Sequence, residues 1–442
     1  MRQGVPEDVQ PGSVLRNRPF LLLWSAQVLS QTAASALLYA LMVFVEERTN
    51  SSVQMSILVL STILPSVVFG MAAGVFVDRW NKKKVLVATN LLRGLAVLLF
   101  AWLHQSLAVI YAINLIFSTI TQFFAPAEVA SIPALVRRRQ LIEANGLFNL
   151  TFSMSQLVGF VFVGPALVKS VGVVGLFVSM AVVYFVCAAL VGLIQVKEPA
   201  RLPGGKSTDL LRGVLSDLRE GWHVLSRDRA ISLALVNVTL ANSLLLIVGM
   251  LAPGYVSRVL GMMPEDAVII MAPGGVGVLL GIVVLRYLTL RYAKEYLATV
   301  GLFLTAGVLY ALGLVGNLGT GLAARTYALL AAVDQANFPL LVGAVMVLAL
   351  LLGLAYAVVN VPAQTVLQER CPVEVRGRVF ATQFVVANAV SLAPLIFLGG
   401  LADLVGVNVV VFLAATAVLG MGFFSRHRTQ VRVSSLPLEG DQ

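Results

Sequence analysis

Apolar residues in this chain come in long runs rather than in alternation. Twelve such runs lie near 20–45, 53–77, 85–103, 107–129, 141–168, 173–194, 231–256, 266–289, 296–315, 338–361, 379–402 and 406–424. At 1.5 Å per residue, runs of roughly 18 to 28 residues reach across a hydrocarbon layer of about 30 Å. The pattern therefore predicts an all-α membrane protein with twelve transmembrane helices. One polar interval, 196–230, is longer than the rest and divides the chain nearly in half. It opens on Lys197-Glu198-Pro199 and Pro203-Gly204-Gly205, which break helices. Leu210, Leu211, Val214, Leu215, Leu218 and Trp222 then recur at helical spacing, predicting a short amphipathic helix on the membrane face. The expected organisation is a six-helix bundle over 1–195, a linker over 196–230, and a second bundle with its tail over 231–442.

Composition sharpens the class. The chain is 59% hydrophobic and 12% charged, against about 25% charged in a soluble domain. The net charge of +10 does not imply nucleic acid, because the basic residues sit in short loops between spans. Of 31 Lys and Arg, 26 fall in the N-terminus, every second loop and the C-terminal tail, while Arg48, Lys169, Arg258 and Arg325 occupy the opposite loops. This asymmetry predicts cytoplasmic termini, a cytoplasmic linker and an even helix number in the inner membrane. The first span is expected to act as an uncleaved insertion signal. Two cysteines, Cys187 and Cys371, imply neither a disulfide framework nor a metal site, and no cofactor is expected.

The halves share landmarks. Pro126-Ala127-Glu128 corresponds to Pro362-Ala363-Gln364, and Gly74-x-x-x-Asp78-Arg79 to Gly281-x-x-x-Leu285-Arg286. Two pseudo-symmetric six-helix bundles follow from this repeat. The stretch Gly74-x-x-x-Asp78-Arg79-x-x-Lys82-Lys83 resembles the loop between the second and third helices of the major facilitator superfamily. Asn81 stands where that family usually has Gly; Asn tolerates a left-handed turn there. Phe124-Ala125-Pro126-Ala127, Ile132-Pro133-Ala134-Leu135-Val136, Glu143-Ala144-Asn145, Gly164-Pro165 and Arg376-Gly377-Arg378-Val379-Phe380-Ala381 resemble its macrolide-efflux and enterobactin-exporter branch. Lysophospholipid transporters are similar.

The resemblance implies a cytoplasmic latch in which Asp78 caps the eleventh helix near Arg376 and Arg378. Arg79 then needs a partner, and Glu128 is the expected one. It also implies a cavity lined by helices one, four, seven and ten with two, five, eight and eleven. The polar candidates are Gln27 and Gln31, Asn114 and Thr121, Asn149 and Gln156, Asn237 and Asn242, and Asn388. For each, bonding between helices is the alternative to facing a substrate. Arg93, about 14 Å into the third helix, costs at least about 2.5 kcal/mol near the midplane. It meets either an anionic substrate group or neighbouring carbonyls, with Asn90 one turn away. Gly159, Gly164 and Pro165 match part of the exporter motif of the fifth helix, as a kink. No carboxylate sits at mid-membrane, so Glu128 is the one embedded candidate for carrying a proton.

These readings predict a monomeric secondary transporter. It exports hydrophobic or amphipathic small molecules by alternating access, with proton antiport as a candidate coupling and membrane lipid as its surroundings. A lysophospholipid translocator of the same fold is the alternative. A polytopic enzyme is disfavoured, because the sequence has no nucleophile, metal or His/Asp constellation.

Overall fold

The computed structural model describes residues 14–195, 207–317, 334–372 and 375–433. Most of the expected outer loop at 316–337, and the start of the linker, lie outside them. Every regular element among the described residues is helical. The first half holds α1 (Arg18–Thr49), α2 (Ser52–Arg79), α3 (Lys82–Leu103), α4 (Leu107–Leu135), α5 (Leu141–Val158) and α6 (Gly164–Gly192). The second holds α7 (Ser207–Arg227), α8 (Arg229–Arg258), α9 (Val268–Leu288), α10 (Lys294–Asn317), α11 (Asp334–Arg370), α12 (Arg376–Val405) and α13 (Val407–Val433).

Eleven of the described stretches are long and apolar enough to span a membrane. One of them, Glu143–Gly192, is 50 residues long. As a straight helix it would measure about 75 Å, more than twice a hydrocarbon core. It breaks at Gly172, whose φ of 73° and ψ of 173° are not helical. A twelfth span depends on dividing the stretch there. The expected break between the fifth and sixth helices near 168–173 coincides with this glycine. Upstream, the expected kink at Gly159, Gly164 and Pro165 takes the form of a π-helical turn over Gly159–Val163 that joins α5 to α6. A Cβ at Gly159 would strike the Thr32 carbonyl, and one at Gly164 would press on Tyr39. The two glycines thus let α1 lie close, as small residues do where lipid supplies no hydrophobic drive.

The chain divides into two compact units, residues 1–40 with 68–210, and 41–67 with 211–442. In the first, α3 packs along α4 and α6. In the second, α11 packs along α8, α9 and α10, and α8 along α12. Glycines again set the approach, since a Cβ at Gly277 of α9 would land on the Leu350 carbonyl of α11. The second unit also takes in residues 41–67, the facing ends of α1 and α2 with the turn between them. Asn50 makes that turn with a left-handed φ of 46°.

Candidate functional site

The densest polar cluster in the second unit lies around the 41–67 hairpin. Asp403, near the end of α12, caps α2. It accepts from Ser52 N at 2.7 Å, Val53 N at 3.0 Å and Ser51 Oγ at 2.5 Å. A carboxylate there satisfies orphan amides at the positive end of the helix dipole. Arg258 of α8 ties the cluster together. Its Nη1 lies 3.1 Å from Asp403 Oδ1 and its Nε 3.2 Å from Glu46 Oε1. Nε also donates to Asn50 Oδ1, and Ser257 Oγ donates to Glu46. The Glu46 side chain is only 1% exposed, so its charge depends on these partners. Just beneath, Ser56 Oγ donates to the Leu395 carbonyl at 3.0 Å, and a Cβ at Gly399 would land on Ser56 Oγ. From sequence, Arg258 is one loop charge among others, and Glu46 and Asp403 carry no motif. Ser51 and Asp403, 352 positions apart, give no local sign of pairing.

The first unit buries its own charges. Arg93, 2% exposed, donates from Nη2 to Asn90 Oδ1 at 2.7 Å. Its guanidinium carbon lies 3.9 Å from the Phe124 ring centroid and 4.9 Å from that of Tyr184. Such stacking holds a cation where water is absent. Wrapped this way, Arg93 offers no surface to an anionic substrate; it anchors α3 to α4 and α6. The ion pair expected between Arg79 and Glu128 is not formed. α4 turns Glu128 inward beside Phe124 and Ala127, and the cation within its electrostatic reach is Arg93. Glu128 Oε1 and Arg93 Nε have no hydrogen-bond partner among the described residues.

The residues expected to form the latch are only partly described. Gly74, Asp78 and Arg79 belong to the last turns of α2, and Arg376 and Arg378 to the first turn of α12. The side chains of Asp78 and Arg376 lie outside the described residues. Arg378 Nη1 meets Glu220 Oε2 of α7 at 2.6 Å. There α7 lies against α12, and a Cβ at Gly221 would strike Thr382 Oγ1. Trp222, from the apolar stripe expected on that helix, is half exposed, and Leu225 is buried. Asn81 is not left-handed. With φ −68° and ψ 111° it is extended, and its Oδ1 caps α3 by accepting from Lys84 N. That role explains Asn where a turn alone would take Gly. Lys82 and Lys83 begin the same helix.

The polar candidates separate by their bonds. Gln27 donates to the Phe148 carbonyl at 3.0 Å and is buried, joining α1 to α5. Thr121 and Asn388 bond back to carbonyls of their own helices. Asn114 is buried, Gln31 is half-buried, and Asn149 and Gln156 are exposed. Asn237 is buried with its Oδ1 unpartnered among the described residues. Asn242 accepts from Tyr356 of α11 at 3.2 Å, and Asn360 of α11 donates to the same Tyr356 hydroxyl. Tyr356 and Asn360 escaped the sequence reading, although with Gln364 they repeat every fourth residue.

Among relatives, the chain is 24% identical over 439 residues to the multidrug efflux pump Tap of Mycobacterium bovis, covering 96% of this chain and 97% of that one. It is 29% identical over 227 residues to macrolide efflux protein A of Streptococcus pyogenes, and 26% over 225 to the MFS-type transporter YkuC of Bacillus subtilis. The chain spans about half the length of these last two, 54% and 52%. Among solved structures, a bacterial homologue of the human lysosomal transporter Spinster shares the fold with a TM-score of 0.69 at 13% identity, over 96% of this chain and 99% of that one. The nucleoside transporter NupG does so with 0.67 at 12%, over 93% and 99%. Residues 23–338 match the Major Facilitator Superfamily model, and with the helical spans this settles the class: the chain belongs to the major facilitator superfamily, a multi-pass membrane transporter and not an enzyme.

Proposed function

We propose that this transporter exports hydrophobic or amphipathic small molecules by alternating access, with both termini on the cytoplasmic side of the cell membrane. The observation that carries the alternating-access part is the Glu46–Arg258–Asp403 cluster. It holds the 41–67 hairpin to α8 and α12 through ionic and capping bonds whose partners can exchange for water. A contact of that kind serves as a gate: it stabilises one state and is exchanged for other contacts in the next. The likeness to Tap along nearly the whole chain supports export as the direction. The reading includes proton antiport, with Glu128 as the membrane-embedded carboxyl and Arg93 as the charge it faces.

Proteoliposomes test this directly. Purified full-length protein is expected to accelerate counterflow of the cationic amphipath rhodamine 6G, and vesicles acidic inside are expected to accumulate it. Equal accumulation with and without the gradient would remove antiport and leave export standing. Counterflow of lysophospholipid without dye would replace the export of small amphipaths with lipid translocation.

A further inference from the structure

The second unit carries a ladder of neutral polar side chains in which amide oxygens are left without donors among the described residues. Tyr356, Asn360 and Gln364 stand four residues apart on one partly exposed face of α11, about 6 Å between successive rungs. Asn360 Nδ2 donates to the Tyr356 hydroxyl at 3.2 Å, and that hydroxyl donates to Asn242 Oδ1 of α8 at 3.2 Å. Gln383 of α12 donates from Nε2 to Gln364 Oε1 at 3.0 Å. In this arrangement the amide oxygens of Asn360 and Gln383 lie away from those bonds. Asn360 Oδ1 and Gln383 Oε1 remain without partners among the described residues, and Gln383 is 7% exposed. A third such oxygen, Asn237 Oδ1, belongs to α8. Buried carbonyl oxygens are seldom left without a donor. No Lys, Arg, Asp or Glu is among the buried residues described in α8, α11 or α12. The ladder thus presents the negative ends of amide dipoles with no buried charge described on these three helices.

The geometry points to a substrate subsite here, in which Asn360 and Gln383 receive an N–H group of the transported molecule, such as a protonated amine. Acceptor oxygens attract a donor and repel a phosphate or carboxylate. The Tyr356 ring beside them adds a face that favours a cation. The inference rests on the export reading and narrows it, favouring amine-bearing amphipaths over anionic lipids.

Two dyes separate the two claims. Rhodamine 6G carries N–H donors; rhodamine B ethyl ester is cationic and of similar shape but has none. Binding to the purified full chain is read by fluorescence polarisation, and counterflow in proteoliposomes alongside it. Wild type is expected to bind rhodamine 6G more tightly. Gln383→Leu and Asn360→Leu are each expected to weaken rhodamine 6G about tenfold and leave the ester unchanged, removing the preference. Gln383→Glu, which keeps an acceptor of the same reach, is expected to retain it, guarding against a variant that merely misfolds. Wild-type counterflow of both dyes without preference, or equal loss of both in the Leu variants, would overturn the subsite and leave export intact. Counterflow of neither dye by wild type would overturn export and the subsite together.

Discussion

A single buried arginine shows how a membrane interior constrains a residue. Arg93 is held by one amide and two aromatic faces, with Glu128 within electrostatic reach. Arg93→Ala removes the stacked cation and leaves a cavity beside Phe124 and Tyr184, and a loss of about 2–5 kcal/mol is expected from thermal unfolding of the purified protein. If the carboxyl and the guanidinium couple, Glu128→Gln added to Arg93→Ala is expected to cost less than the sum of the two single variants. An additive double mutant would show that the two do not interact. At this scale the sequence was half informative. A charge deep in the third run is visible from spacing alone, and so is Asn90 one turn away. What faces Glu128 is not, because Arg79 and Arg93 belong to other helices and only the rotation of α4 decides which of them its side chain approaches.

At the scale of elements, helix ends and glycines do most of the specifying. Hydropathy located the spans because lipid demands about 20 apolar residues wherever the chain crosses. It could not show that α5 continues through a π-turn into α6, since Gly159 and Pro165 read equally as a kink or a stop. Nor could it show that α7 meets α12 at Gly221, because a glycine beside Trp222 carries no hydrophobic signal. Gly221 now sets the approach of α7 to α12. Gly221→Leu is expected to lift α7 from Thr382 and expose it, read as faster proteolytic cleavage within 207–227 with the spans intact. Unaltered cleavage would mean that the Arg378–Glu220 ion pair holds the helix unaided. Gly399→Leu is expected to push α12 from Ser56 and lower thermal stability by about 1–3 kcal/mol, the usual range for overpacking.

At the scale of the whole molecule, a transporter needs contacts that are firm in one state and dispensable in the next. The apolar seams between α9 and α11 are poorly suited to that, because small residues packed on backbone separate only at the loss of close contact. The ionic cluster at the 41–67 hairpin is suited, because its partners can exchange for water. Asp403→Asn keeps the shape but loses the charge at the start of α2. It is expected to slow counterflow several-fold with little change in unfolding temperature, whereas an equal fall in both would mark Asp403 as a stability element. Internal repeats and the resemblance carried by Gly74, Asp78, Arg79, Lys82 and Lys83 made the transporter class readable from sequence. The cluster was not readable, since its acids resemble every other helix-end acid until the fold joins positions 46, 258 and 403.

The most direct measurement is whether transport stops when that hairpin is kept from leaving α12. Ser51→Cys with Leu404→Cys places thiols beside the Asp403 cap while keeping Glu46, Arg258 and Asp403. A short reducible bis-methanethiosulfonate cross-linker then joins them in proteoliposomes. Rhodamine 6G counterflow is expected to cease on cross-linking and return on reduction; counterflow continuing at the uncross-linked rate would contradict the gate.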